Sequence, residues 1–383
     1  MVKKVVEASQ AIAEALKLCK PAVIAAYPIT PQTHIVEHLS QMVADGDLKS
    51  EYIRVESEHS AMSACFGAAC AGVRTFTATA SQGLELMHEI LHIVSGSRLP
   101  IVMAVANRAV SGPINIWNDW SDAMAARDCG WIQLYCETAQ EALDTVIQAY
   151  KISENHEILL PTMVCIDGFY LSHTYEPVDV PESLNGFLPD YDPVVSIDMK
   201  NPITQGSFGT PPHFQEFREQ QYHAMNRAKR VIKQTNKEFA EKFGRSYGNG
   251  LIETYNIDKA KHILISLGSI CGTIKYLLEK DNIKDIGLVR IKSFRPFPEE
   301  ELREILNEYE SVGVLEKAVT LGIGGPVWSE LRGLTSKPIA DFIGGLGGRD
   351  ITLDNIREVF DKIRSSDTGV HWLGSKLKGD YDD

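Results

Sequence analysis

Runs of consecutive apolar residues alternate with stretches of helical period from Val23 to Ile166. Val23 to Ala26, Tyr52 to Val55, Thr75 to Thr79, Ile101 to Ala106 and Thr162 to Ile166 have the texture of strands buried on both faces. Between them, Thr33 to Ala44 sets Ile35, Leu39, Met42 and Val43 along one side, which predicts a helix. Ser60 to Ala71, Gly83 to Ser95 and Glu141 to Asn155 predict three more. Continuous apolar strands separated by helices predict an α/β fold whose parallel sheet carries helices on both faces.

The texture changes after Glu176. Prolines at 177, 181, 189, 193, 202, 211 and 212, with no sustained period, predict an irregular connector. Phe214 to Phe243 then reads as one long charged helix ending near Gly244. A second α/β unit begins at Lys261, with strands over His262–Leu267, Gly287–Ile291 and Ser311–Glu316. Its helices are predicted over Ile270–Glu279, Pro298–Tyr309 and Val327–Leu334. The chain therefore divides into a first domain over 1–175, a connector and long helix over 176–257, and a second domain over 258–383 with a polar tail from Ser375.

Composition narrows the function. With 383 residues, 44% hydrophobic and 23% charged, the chain can build two or three domain cores and is not disordered. A net charge of −13 argues against nucleic acid as a partner, because phosphate binding needs a basic face. No apolar run reaches the roughly 18–20 residues of a membrane span, and Met1 to Glu7 lacks the apolar stretch of a secretion signal, so a cytoplasmic protein is expected. The seven cysteines include no Cys-x-x-Cys pair, so neither a zinc ribbon nor an iron–sulfur cluster is expected in this chain.

Three motifs invite chemistry and have simpler readings. His88-Glu89-Ile90-Leu91-His92 has the zinc-hydrolase spacing on a predicted helix, yet no third ligand lies near it and its neighbours are apolar. Gly268-Ser269-Ile270-Cys271-Gly272-Thr273 joins strand to helix as an anion loop would, but lacks the P-loop lysine, and a capped turn explains it equally well. Gly344 to Asp350 is a glycine cluster without a defined chemistry.

The loops after four predicted strands are more informative. Tyr27 to Thr30, Glu56 to Glu58, Ser81 to Gly83 and Asn107-Arg108 should converge where an open parallel sheet collects its ligands, at the strands' carboxyl ends. Glu56 and Glu58 precede a run of small apolar residues, where a carboxylate is costly unless something shares a proton with it.

Tyr27-Pro28-Ile29-Thr30-Pro31, Glu56-Ser57-Glu58-His59, Thr77-Ala78-Thr79-Ala80-Ser81-Gln82-Gly83 and Asn107-Arg108-Ala109 together resemble the alpha subunit of the 2-oxoacid:ferredoxin oxidoreductases, and within that family its pyruvate branch. The resemblance runs end to end. It takes in Asn201-Pro202-Ile203-Thr204-Gln205-Gly206, Phe294-Arg295-Pro296-Phe297-Pro298 and the late Gly-Leu-Gly-Gly-Arg-Asp run. It implies a thiamine diphosphate pyrimidine-binding domain followed by a domain like the transketolase C-terminal one. The reaction it implies is reversible, coenzyme A-dependent oxidative decarboxylation of pyruvate to acetyl-CoA and CO₂, with ferredoxin taking the electrons.

Carried over by position, Glu58 would share a proton with N1′ of the aminopyrimidine, with Glu56 as its structural neighbour. Pro28, Ser81 and Gln82 would line the cofactor, and Thr30 and Arg108 would hold the 2-oxoacid, the guanidinium pairing with its carboxylate. The resemblance implies that the position of the His88–His92 motif does not serve as a zinc site in the family. No Gly-Asp-Gly with a downstream Asn is present, so the diphosphate and Mg²⁺ are expected on a beta subunit. A gamma subunit and a ferredoxin-like delta subunit are the further implied partners, and [4Fe-4S] clusters are expected in partner subunits only. Rival readings are the same chemistry on a branched-chain 2-oxoacid or 2-oxoglutarate, a non-catalytic scaffold subunit, and a zinc hydrolase.

Overall fold

The structure, a computed structural model, describes residues 1–200, 202–206 and 208–377. Asn201 and the part of the predicted polar tail beyond position 377 lie outside those residues. The described chain forms two compact units. One comprises Met1–Glu253, Leu267–Ser269 and Ile291–Pro298, and the other takes in Thr254–Ser266, Ile270–Arg290 and the residues from Glu299 onward.

The first unit starts with strand β1 (Val2–Glu7) and helix α1 (Ala8–Cys19), followed by β2 (Val23–Ala26), α2 (Thr33–Ala44), β3 (Glu51–Arg54), α3 (Glu58–Cys70) and β4 (Thr75–Thr79). Next come α4 (Gln82–Leu86), α5 (His88–Gly96), β5 (Val102–Asn107), α6 (Ser121–Ala125), β6 (Ile132–Tyr135), α7 (Ala139–Ser153), β7 (Thr162–Asp167) and β8 (Tyr175–Val180). The sheet runs β6-β7-β5-β4-β2-β3, all parallel, and a seventh strand, Ser293–Arg295, joins β6 antiparallel. The parallel sheet predicted from the apolar runs is therefore present, and its strands β4, β5, β6 and β7 are buried along their whole length. The irregular stretch expected after Glu176 starts later, because Tyr175–Val180 pairs antiparallel with β1.

Several elements differ from the sequence reading for identifiable reasons. The segment read as one helix over 83–95 is two, interrupted at Met87, whose ψ of −11° departs from helical geometry. Strand β6 escaped notice because Gln133 breaks its apolar run; that side chain is fully buried and donates to the Ala123 carbonyl at 2.8 Å. Helix α1 is buried on nearly all sides and packs on α2 and α7. The long helix, α8, covers Pro211–Phe243, opening on prolines where missing N–H groups cost nothing and closing on Gly244 at φ 73°.

Helix α3 begins two residues earlier than its apolar run. Ser57 accepts a hydrogen bond from the Ser60 N–H at 3.2 Å and caps the helix, so Glu58 becomes its first residue. Ser57→Ala is expected to lower stability by about 1 kcal/mol in urea denaturation, with an unchanged denaturant slope. No measurable loss would show that the cap does not define this helix start.

The second unit has a six-stranded sheet in the order Gly369–Trp372, Ala340–Ile343, Ser311–Glu316, His262–Ser266, Ile286–Ile291 and Ile252–Tyr255. The four pairings among the first five strands are parallel. Among the described residues no helix is long and apolar enough to cross a membrane. All seven cysteines are buried.

Candidate active site

Strands β3, β2, β4 and β5 are consecutive parallel neighbours, so the four loops at their carboxyl ends meet along one edge of the first sheet. A buried polar network ties three of them together. Asp122, on α6 and fully buried, accepts from the backbone N–H of Ser81 at 2.9 Å and of Arg108 at 3.0 Å through Oδ2. Its Oδ1 accepts from Asn107 Nδ2 at 2.8 Å. Burial pushes this carboxyl up to about 6, while the donors from Asn107, Ser81 and Arg108 hold it down. Nothing in Trp120-Ser121-Asp122-Ala123 marks Asp122 as an interior hub, and it was missed in the sequence.

Arg108 is 7% exposed and its guanidinium is aimed by two carbonyls. Nε donates to Asn115 O at 2.7 Å and Nη1 to Thr30 O at 3.0 Å. Arg108 and Thr30, separated by 78 positions, are thus held side by side. Nη2 has no partner among the described residues, and two of its donor hydrogens remain for a ligand. The loop carrying Pro28 and Thr30 is fastened to the sheet by Gln32, which accepts from Ile29 N at 3.2 Å and donates to Ala78 O at 2.7 Å. Pro28 and Thr30 themselves are exposed. Gln32 is the second residue that sequence reasoning passed over; its burial beside a proline-rich loop leaves no periodic signature.

Ser81 has φ 49°, in the left-handed region that a residue with a side chain rarely adopts. Its Oγ lies 2.6 Å from both Ala109 O and Gln82 Oε1, and one hydroxyl proton serves only one of them at a time. Gln82 Nε2 is buried without a partner among the described residues. So are Thr79 Oγ1 and Asn107 Oδ1, which leaves this edge of the sheet rich in unanswered polar atoms.

The paired carboxylates separate cleanly. Glu56 is exposed, accepts from Ser60 Oγ, and is pulled below the usual carboxylate range by that bond. Glu58 points inward and is 6% exposed. Burial raises its proton affinity, opposed by a hydrogen bond from its own backbone. No other residue donates to it among the described residues. Its carboxylate packs on Gly83, where a Cβ would sit 2.6 Å from Glu58 Oε1 and 2.4 Å from Thr79 Oγ1. Gly83→Ala is therefore expected to push Glu58 off its position at a cost of about 1–3 kcal/mol, read as a lower thermal midpoint and a matching loss of turnover. Wild-type turnover in that variant would separate Glu58 from the chemistry.

The glycine loop at 268–273 does not offer Ser269 to an anion. Its N–H donates to Asp167 Oδ2 at 3.1 Å and its hydroxyl bonds the same oxygen, so a carboxylate of the chain already takes that place.

Residues 14–237 match the family model described as pyruvate flavodoxin/ferredoxin oxidoreductase, thiamine diphosphate-binding, and residues 260–356 match pyruvate:ferredoxin oxidoreductase core domain II. The chain is 54% identical over 381 residues to pyruvate synthase subunit PorA of Methanocaldococcus jannaschii, covering 97% of this chain and 98% of that one. It is 44% identical over 374 residues to ketoisovalerate oxidoreductase subunit VorA of Pyrococcus horikoshii, covering 95% and 94%. Among solved structures, 2-oxoglutarate:ferredoxin oxidoreductase from Magnetococcus marinus, with 2-oxoglutarate, coenzyme A and succinyl-CoA bound, has a similar fold at a TM-score of 0.74 and 19% identity. The alignment covers 94% of this chain and 65% of that one. The match over 14–237 alone takes in more than half of the sequence, and the chain belongs to the pyruvate flavodoxin/ferredoxin oxidoreductase family.

Proposed function

We propose that this chain is the alpha subunit of a pyruvate:ferredoxin oxidoreductase (pyruvate synthase), supplying the pyrimidine half of a thiamine diphosphate site and the clamp for pyruvate. The observation that carries the reading is Glu58: an inward carboxylate of raised proton affinity with no donor from another residue, packed on a glycine that admits no side chain. Such a group is suited to share a proton with a heterocyclic nitrogen. The orphaned Gln82 Nε2 offers a donor to a bound ring.

When bound, thiamine diphosphate supplies the nucleophilic carbon and the electron sink for decarboxylation. Glu58 holds a proton at N1′, while Ser81, Gln82 and Pro28 line the ring. Arg108 pairs with the substrate carboxylate through the nitrogen its two carbonyl anchors leave available, and the Thr30 hydroxyl bonds a substrate oxygen. In this reading the pyrimidine-binding domain spans 1–175, the connector and long helix 176–257, and the transketolase-like domain 258–383. The missing Gly-Asp-Gly pattern supports a beta subunit holding diphosphate and Mg²⁺. By the family resemblance, [4Fe-4S] clusters sit on partners that include gamma and ferredoxin-like delta subunits, in the cytoplasm.

The VorA relative favours one second reading, the same chemistry on branched-chain 2-oxoacids. Anaerobic purification of the native complex, followed by assay of pyruvate, 2-ketoisovalerate and 2-oxoglutarate with coenzyme A and a viologen dye, decides between them. The highest kcat/KM on pyruvate is expected. Preference for 2-ketoisovalerate moves the substrate, and a complex with no 2-oxoacid activity overturns the enzyme reading.

A further inference from the structure

His88 and His92 stand one turn apart on α5, and the sequence around them contains no third ligand. The fold brings one from a distance. Cys129 Sγ lies 3.5 Å from His92 Nε2, and 3.7 and 3.9 Å from the two ring nitrogens of His88. One ligand atom from each of the three side chains lies within 4.8 Å of the others. A tetrahedral zinc ion, with Zn–S about 2.3 Å and Zn–N about 2.0–2.1 Å, sets sulfur and nitrogen roughly 3.5 Å apart. The sulfur–nitrogen separations of 3.5 Å to His92 and 3.7 Å to His88 are close to that value.

The ligands are braced from behind. Ser95 Oγ donates to Cys129 O at 2.5 Å, and Trp131 Nε1 donates to Leu91 O at 3.0 Å, so the 129–131 segment is locked to α5 on both sides of the cysteine. Cys129 is 1% exposed, whereas both imidazoles are half-buried, which puts the sulfur at the floor and the nitrogens at the rim. Glu85, three residues before His88, is close enough for its charge to act on both His88 and Cys129. It keeps Oε1 buried without a partner among the described residues. A divalent cation would answer that charge.

We propose that His88, His92 and Cys129 form a mononuclear zinc site with its fourth position open to solvent. Binding displaces the thiol proton to solvent, so the thiolate and two neutral imidazoles leave the ion one net positive charge, which Glu85 faces. The site differs from that of a zinc hydrolase in one decisive respect. Glu89, the acid of the motif, has a 78% exposed side chain and lies 3.9 Å from His59 Nε2. With Glu89 turned away, the site's role is to tie α5 to the 129–131 segment rather than to hydrolyse.

The test uses the full chain produced without iron–sulfur partners, loaded with Zn²⁺, desalted and analysed for metal. About one zinc per chain is expected, with a raised thermal midpoint. Cys129→Ser and His92→Gln are each expected to reduce retained zinc to background. Replacement by Co²⁺ is expected to give the strong visible bands of a tetrahedral site and a thiolate charge-transfer band that Cys129→Ser abolishes. If the buried Cys129→Ser variant fails to fold by circular dichroism, His88→Gln and His92→Gln at the half-buried rim carry the comparison. Zinc retention by wild type no greater than by the folded variants overturns the proposal, as does an octahedral cobalt spectrum or preferential retention of copper(I).

Discussion

Glu58→Gln is expected to cut turnover of the assembled enzyme by about 10²–10⁴-fold while leaving assembly and thermal stability near wild type. The amide keeps the size and shape of the carboxylate and cannot exchange a proton with a ring nitrogen at neutral pH. Two opposed influences act on Glu58. Its place at the start of α3 favours the charged form through the helix dipole, and burial disfavours it. Burial prevails, so the group retains a proton to higher pH than an exposed carboxyl, as sharing one with N1′ requires. Folding linkage takes the same sign: with the folded value raised, ionising Glu58 lowers stability as pH rises above its unfolded value of about 4.3. Glu58→Gln should therefore flatten the pH dependence of stability above that range while lowering turnover by the factor given. Undiminished turnover would exclude Glu58 from the chemistry and favour the scaffold reading.

Arg108→Ala is expected to lower kcat/KM for the 2-oxoacid by about 2–4 kcal/mol, with both constants affected. KM rises because a charge-assisted pair with the substrate carboxylate is lost. The fall in kcat has a separate cause, since Nη1 also holds the Thr30 carbonyl, and a loosened Thr30 no longer meets the substrate oxygen at a fixed position. Arg108→Lys should recover little. An ammonium cannot bond Asn115 O and Thr30 O and still present a donor fork to a carboxylate. If Arg108→Ala leaves both kcat and KM at wild-type values, the clamp lies elsewhere.

The strands of the first sheet were legible because burial on both faces leaves no room for polar alternation: Val23 to Ala26 and Thr75 to Thr79 match the observed bounds. Thr30, Ser81, Gln82 and Arg108 were legible as neighbours because the carboxyl ends of parallel strands share one edge. Which of Glu56 and Glu58 turns inward was not, since it depends on where α3 starts, and Ser57 sets that through a single cap bond. Asp122, Gln32 and Gln133 were invisible for a common reason. Each is a polar residue that bonds a backbone group of another segment, and a linear pattern carries no trace of such bonds. Cys129 is the clearest instance: 37 positions from His92, it is a ligand candidate only once the chain has folded.

The antiparallel strand Ser293–Arg295 has a consequence for biosynthesis. It covers the open side of β6 (Ile132–Tyr135), a strand synthesised some 160 residues earlier, as the numbering shows. Until the ribosome has passed Arg295, the nascent sheet presents β6 as a bare edge of unpaired amides and carbonyls, the kind of surface on which chains aggregate. A polypeptide ending at the long helix would keep that edge permanently. The thiamine-type unit is consequently not a detachable module: a gene cut between the two family segments would part the sheet from its last strand.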